Sequence, residues 1–306
     1  MGELRTVSTD GGRTLEVLTA GPPDGLGWLW FPGTPSAAVV LPRLEALADR
    51  LGLRMVTWSR PGYGASSRRP FAARGPRIAD DVNDAERVLD AVGVDRFVTV
   101  GWSGGGPRAL ACAALLPARC TGAATLASIA PFDASGLDWS AGMAPDNVAD
   151  FEVASRHPKD YAAFQEENFL PLLDIGSAEM ADGMAGFLTP TDAAAFTGDV
   201  AAWLAQMIHR AGEQGVVGVH DDGLAIVAPW GFDVGSISVP TAVWAGGQDI
   251  MVPLAHGRWL AEHIPGAVPH LIDAEGHLTL IDRLEEVLTE LLRLADLPLP
   301  TAGPTR

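Results

Sequence analysis

The apolar run Phe97–Val100 passes directly into Gly101-Trp102-Ser103-Gly104-Gly105, and a helical pattern from about Pro107 to Leu116 follows. Few sequence features restrict a fold more. A serine in so sharp a strand-to-helix turn projects its hydroxyl from the end of the strand, where it can act as a nucleophile. Gly101 and Gly105 leave room for strand and helix to pass closely. Pro107 fits the first helical turn, where its missing N–H costs little. A Ser-Gly loop of the phosphate-binding kind is the competing assignment, but no P-loop lysine or G-x-G-x-x-G spacing follows.

The rest of the chain alternates β-rich runs with helical patterns, which predicts a mostly parallel eight-stranded sheet with helices on both faces. Leu4–Ser8 and Thr14–Thr19 read as a hairpin around Asp10-Gly11-Gly12. Gly27–Phe31, Arg54–Trp58, Phe97–Val100, Gly122–Ser128, Thr241–Ala245 and Val268–Asp273 read as the remaining strands. Helices are expected near Ala38–Leu51, Ile78–Val92, Leu254–His263 and Ile281–Leu294, besides the one after the elbow. Between Ala134 and Ser238 the pattern turns mainly helical, too long a stretch for a loop in a compact domain. The expected organisation is therefore a core domain (1–133 and 239–296) interrupted by a helical cap (134–238), with a proline-rich, fraying tail (297–306).

Composition narrows the function. The net charge of −17 over 306 residues repels phosphate backbones and anionic lipid, which argues against nucleic-acid and membrane partners. No 18-residue apolar run could span a bilayer and no signal peptide is visible, so a cytoplasmic location is expected. The single lysine, Lys159, lies in a polar run and is a poor candidate for Schiff-base or pyridoxal-phosphate chemistry. Cys112 and Cys120 lack metal-ligand spacing and read as buried free thiols, and the expectation is an enzyme without metal or organic cofactor.

The elbow, a helical insertion, an acidic loop and a late histidine, in that order, resemble the α/β-hydrolase superfamily over nearly the whole chain outside the tail. The resemblance implies that His277, in Ala274-Glu275-Gly276-His277-Leu278 after the last strand, is the general base for Ser103. Asp249, in Gly246-Gly247-Gln248-Asp249, matches the family's acid loop; some relatives carry the acid after the sixth strand, where Asp133 stands. The oxyanion hole would use the backbone N–H groups of Gly104 and Thr34. Phe31-Pro32-Gly33-Thr34-Pro35 is similar to the family's His-Gly-x-Pro loop, but Pro32 replaces the histidine and leaves the loop's anchoring hydrogen bond unaccounted for. Ser59-Arg60-Pro61-Gly62-Tyr63-Gly64-Ala65-Ser66 resembles the Asp-x-x-Gly-x-Gly-x-Ser turn, with Ser59 for aspartate, and is taken as structural.

Other candidates read as ordinary. His157, His209, His220, His256, His263 and His270 are expected to be polar or packed residues, and Asp221-Asp222 a turn on the way back to the core. Arg68, Arg69, Arg74 and Arg77 could meet an anionic substrate, although a solvated loop accounts for them. Trp139, Met143, Phe151, Met180, Met184, Phe187, Trp203 and Met207 are spread through the insertion, and some would line an apolar substrate site. Ser103 argues against dehalogenases and epoxide hydrolases, which use aspartate there. The resemblance points to a carboxylesterase or lactonase acting on a small apolar ester-type substrate. Aminopeptidase, C–C bond hydrolase and cofactor-free perhydrolase are alternatives, as is a non-catalytic ligand receptor on the same fold.

Overall fold

Trp28 and Trp30 of the third strand enter one apolar core, while Leu29 and Phe31, which alternate with them, enter another. A strand buried on both sides belongs in a sheet covered by helices on both faces. The computed structural model describes residues 2–39, 41–71, 73–176, 179–180 and 183–299. Its strands are β1 (Glu3–Ser8), β2 (Thr14–Ala20), β3 (Leu26–Phe31), β4 (Leu53–Trp58), β5 (Phe97–Trp102), β6 (Cys120–Leu126), β7 (Thr241–Gly246) and β8 (Val268–Ile272). They form one sheet in the order β1-β2-β4-β3-β5-β6-β7-β8. Only β2 runs antiparallel to its neighbours; from β4 through β8 every pairing is parallel.

The helices are α1 (Pro42–Leu51), α2 (Asp81–Val92), α3 (Gly106–Leu115), α4 (Pro145–Arg156), α5 (Tyr161–Asn168), α6 (Pro190–Ala195), α7 (Gly198–Ala211), α8 (Val217–Val227), α9 (Leu254–His263) and α10 (Leu284–Leu294). On one face, Leu44 and Leu47 of α1 and Val287, Leu288 and Leu291 of α10 pack with Trp28, Trp30, Val98 and Val100. On the other, Val88 of α2, Leu110 of α3 and Leu260 of α9 pack with Leu29, Phe31 and Phe97.

The structure departs from the sequence expectations in three places. The first helix starts at Pro42 and not at Ala38, because the residue before a proline is driven out of the helical region; Leu41 is extended, at φ −103° and ψ 113°. The expected helices from Ile78 and from Ile281 each open with a 3₁₀ turn, Ile78–Asp80 and Thr279–Arg283, before α2 and α10 begin. Asp221 and Asp222 do not form a turn. Both are buried in α8, where ion pairs hold them.

No strand occurs between Leu126 and Thr241 among the described residues, and α4 to α8 fill that insertion. Trp203, Leu204, Met207 and Ile208 of α7 join the apolar cluster that contains Trp30 and Trp102. Trp139 and Met143 join the opposite one. At the other end, Leu297 packs on the core and donates its N–H to the Leu292 carbonyl (2.8 Å). The rest of the expected tail, from residue 300, lies outside the described residues.

Candidate active site

Parallel strands deliver their carboxyl ends to one edge of the sheet, and the strand order reverses between β3 and β5, the place where open α/β sheets form their crevices. The loops after β3, β5, β7 and β8 carry Thr34, Ser103, Asp249 and His277 to that edge.

Ser103 sits between β5 and α3 with φ 55°, a left-handed conformation that non-glycine residues seldom adopt. Its flanking glycines are forced by contact. A Cβ at Gly101 would lie 2.5 Å from the Gly105 carbonyl oxygen, and one at Gly105 would lie 2.1 Å from that of Phe31. Any larger residue would push the elbow off the sheet.

His277 is buried, and its Nδ1 lies 2.8 Å from Asp249 Oδ2. The other Asp249 oxygen accepts the N–H groups of Met251 and Val252, each at 2.8 Å. The carboxylate is thus fixed in direction before it meets the imidazole. Burial pushes the His277 pKa down, but the charge and hydrogen bond of Asp249, with a further contribution from Asp192, outweigh it and leave the pKa raised. Asp133 is exposed and makes no hydrogen bond among the described residues, so the acid that meets the histidine is Asp249. The Trp102 indole donates to the His277 carbonyl (3.1 Å) and the two rings pack at 5.2 Å, which ties the elbow to the histidine loop. The Ser103 hydroxyl itself makes no hydrogen bond among the described residues; in ligand-free sites the serine–histidine contact is often long.

Thr34 and Gly104 abut one another. The Thr34 nitrogen is 3.4 Å from the point where a Gly104 side chain would begin, and Ser103 Cβ is 3.2 Å from the corresponding point at Gly33. What holds these loops was not visible in the sequence. The Arg60 guanidinium donates to the carbonyls of Pro32 (3.0 Å) and Gly33 (2.9 Å), so the loop with Pro32 in place of histidine is anchored from outside. Arg108 donates to the Gly104 carbonyl (2.5 Å). Asp222 bridges the two arginines, accepting from Arg60 Nε (3.0 Å) and Nη2 (2.5 Å) on one oxygen and from Arg108 Nη2 (2.7 Å) on the other. Thr34 Oγ1 (2.8 Å) and the Tyr63 hydroxyl (3.1 Å) also donate to Asp222. Burial would raise the pKa of Asp222, but Arg108 and Arg60 more than offset this and bring it to about 2. The turn after β4 therefore does more than shape the chain: through Arg60 it reaches the expected oxyanion loop.

Two faint signals could have disclosed this cluster: adjacent acids inside the mainly apolar Val217–Val227, and Arg108 as the only charged residue of the helix Gly106–Leu115. The arginines after Tyr63 are paired as well: Arg68 with Asp221, Arg69 with Asp81 and Asp84, Arg74 and Arg77 with Asp80. Arg69, at 13% side-chain exposure, belongs to a buried ion-pair cluster and not to a solvated loop. His256 is a packed residue: its Nδ1 accepts from Ala130 N–H (3.1 Å), its Nε2 faces the Trp139 carbonyl (2.8 Å), and burial pushes its pKa down to about 4.

Among curated proteins, a poly(3-hydroxyalkanoate) depolymerase of Ectopseudomonas oleovorans is 28% identical over 286 residues, covering 93% of this chain and 89% of the relative. A pimeloyl-[acyl-carrier protein] methyl ester esterase of Nitrosomonas europaea is 25% identical, covering 94% and 98%. Among solved structures, a thermophilic esterase from Thermogutta terrifontis superposes with a TM-score of 0.67 at 22% identity, covering 96% and 99%. The family model described as alpha/beta hydrolase fold matches residues 31–284, and with the sheet order and elbow it establishes that this chain belongs to the alpha/beta hydrolase family.

Proposed function

We propose that this hydrolase cleaves a carboxylic ester or lactone through an acyl-enzyme on Ser103, with His277 as general base and Asp249 as its orienting acid. The observation that carries the proposal is the buried His277–Asp249 pair, at 2.8 Å, on the sheet edge where the Ser103 elbow emerges. The esterase name of one relative supports an ester-type substrate. Ser103 attacks the carbonyl as His277 Nε2 takes its proton; Asp249 stabilises the imidazolium, and the oxyanion sits between the N–H groups of Gly104 and Thr34. His277 then protonates the departing alcohol, and water repeats the attack on the acyl group. No step calls for a group beyond these side chains and water. The buried free thiols Cys112 and Cys120 suit a reducing, cytoplasmic setting.

Helices α4 to α8 act in this proposal as a cap over the sheet edge. Trp203 lies 6.0 Å from Trp102, ring to ring, and shares an apolar cluster with Met180, Phe196 and Met207. Such a wall next to the elbow supports an apolar acyl or alcohol group.

Three measurements bear on these roles. Asp249→Asn should keep the fold yet lower kcat/KM by about three to four orders of magnitude, because the amide favours the wrong imidazole tautomer. Asp133→Asn should stay within a few-fold of wild type, and the reverse ranking would move the acid to the loop after β6. Arg60→Lys keeps the charge facing Asp222 but loses the fork that spans Pro32 and Gly33, so kcat should fall about tenfold to hundredfold with a smaller change in KM. An unchanged kcat would separate Arg60 from the oxyanion loop. Across p-nitrophenyl esters from acetate to octanoate, kcat/KM should rise by about fourfold per methylene to an optimum and then drop. A steady fall from acetate would rule out an apolar acyl site, and preference for aminoacyl amides would favour an aminopeptidase.

A further inference from the structure

The inserted segment places a second carboxylate against the histidine loop. Asp192 of α6 is fully buried, at 0% exposure. Its Oδ2 accepts the backbone N–H of His277 (3.0 Å) and its Oδ1 that of Leu278 (2.7 Å). Among the described residues no arginine or lysine pairs with it, so these two amides, with the Thr189 hydroxyl at 3.5 Å from Oδ2, are what satisfies the charge. Gly276 is shaped to the same contact, since a Cβ there would lie 2.4 Å from Asp192 Oδ1. Thr189 caps α6 by accepting the Asp192 N–H (3.4 Å), which sets the carboxylate's direction from its own end.

We propose that Asp192 is a positioning residue that clamps the backbone of His277, so that the base half of the site forms only when the inserted helical segment is docked. This rests on His277 acting as the general base. The clamp acts from the amide side, while Trp102 holds the His277 carbonyl and Asp249 holds the ring. Three sides of one residue are thereby fixed by three different parts of the chain. Asp192 also adds to the field that favours the imidazolium formed when His277 takes the serine proton. The charged groups bearing on His277 are Asp249 from the loop after β7 and Asp192 from α6; on its own loop Glu275 is paired with Arg283 and Asp273 is exposed.

The test is Asp192→Asn in the full chain. The amide keeps the shape but removes the charge and sets an NH₂ group against one of the backbone N–H donors. Three readouts are taken: kcat and KM on a p-nitrophenyl ester, the acid limb of kcat/KM, and hydrogen exchange in the peptide that contains Gly276–Leu278. The expected result is a fall in kcat of about tenfold or more with KM little changed, and exchange of those amides faster by about tenfold or more. The acid limb should move to lower pH, since a negative charge that supports the imidazolium is gone. Amides that stay protected, with an unmoved acid limb, would overturn the proposal even if Tm dropped, because a cap-only structural role predicts that pattern. If Asp192→Asn does not fold, Thr189→Val leaves the carboxylate in place but unsupported. It should accelerate the same amides and lower kcat to a smaller degree, and unchanged values would overturn the proposal. Ser103→Ala and His277→Ala are measured alongside. Wild-type activity in those variants would defeat the base assignment itself, whereas inactive controls with a wild-type-like Asp192→Asn would defeat only the clamp.

Discussion

A single buried carboxylate, Asp222, sits between two buried guanidinium groups and ties together the loops that follow β3 and β5. Its cost is substantial, because taking three charges out of water carries a desolvation penalty of several kcal/mol per ion. Apolar residues of similar volume often serve stability as well or better, whereas removal of one partner strands the others and costs about 3–5 kcal/mol. What apolar packing could not supply is the set of directed donors from Arg60 to Pro32 and Gly33, and from Arg108 to Gly104. The cluster extends outward through Asp81 to Arg69 and Asp84, so that the positive charges under the site are neutralised within the fold. Ser59, where the related turn has aspartate, bonds to the Glu16 carboxylate (2.7 Å) and accepts the Ala38 N–H (2.8 Å). The loop geometry is therefore fixed before any substrate arrives, which is what electrostatic stabilisation of a developing oxyanion requires.

The two halves of the proposed machinery are braced by the same inserted segment. Asp222 of α8 braces the loops proposed to form the oxyanion hole, and Asp192 of α6 accepts the backbone N–H of His277. Each is an aspartate far from its partners in the sequence: Asp222 is 162 residues from Arg60, and Asp192 is 85 from His277. Arg210 of α7 adds a third tie, donating to the Ala38 carbonyl (3.0 Å) and pairing with Glu16. An insertion that only shielded substrate from water would need apolar contacts with the sheet edge and nothing more. This one carries buried charge into the edge.

Much of this molecule could be read from its sequence, and the boundary of legibility has a physical origin. The sheet and the elbow were legible because each depends on local pattern: short apolar runs such as Trp28–Phe31, buried on both sides of the sheet, and paired glycines at a close approach; Asp249 and His277 were legible only through the resemblance to the α/β-hydrolase superfamily. Asp249 and Asp133 both stand after strands at the same edge; the match to the family's acid loop favours Asp249, and the geometry puts Asp249 beside His277. Asp221-Asp222 was misread as a turn because acids beside a glycine favour turns locally; tertiary ion pairs with Arg68, Arg60 and Arg108 overrode that preference. Asp192 left no signal at all. Thr189-Pro190-Thr191-Asp192 reads as an ordinary helix start, and the carboxylate's partners are backbone amides, which no side-chain pattern encodes.

The proposed reaction requires that Ser103 becomes acylated during turnover. It is tested most directly by mixing the protein with a p-nitrophenyl ester, quenching in acid within milliseconds, and mapping the adduct by mass spectrometry. The expected result is a burst of p-nitrophenol that approaches one equivalent when deacylation is slow, with the acyl mass on the peptide that contains Ser103. An adduct on another residue, or turnover that Ser103→Ala leaves at the wild-type rate, would contradict it. Stoichiometric binding of the ester with neither burst nor turnover would identify a ligand receptor built on the same fold.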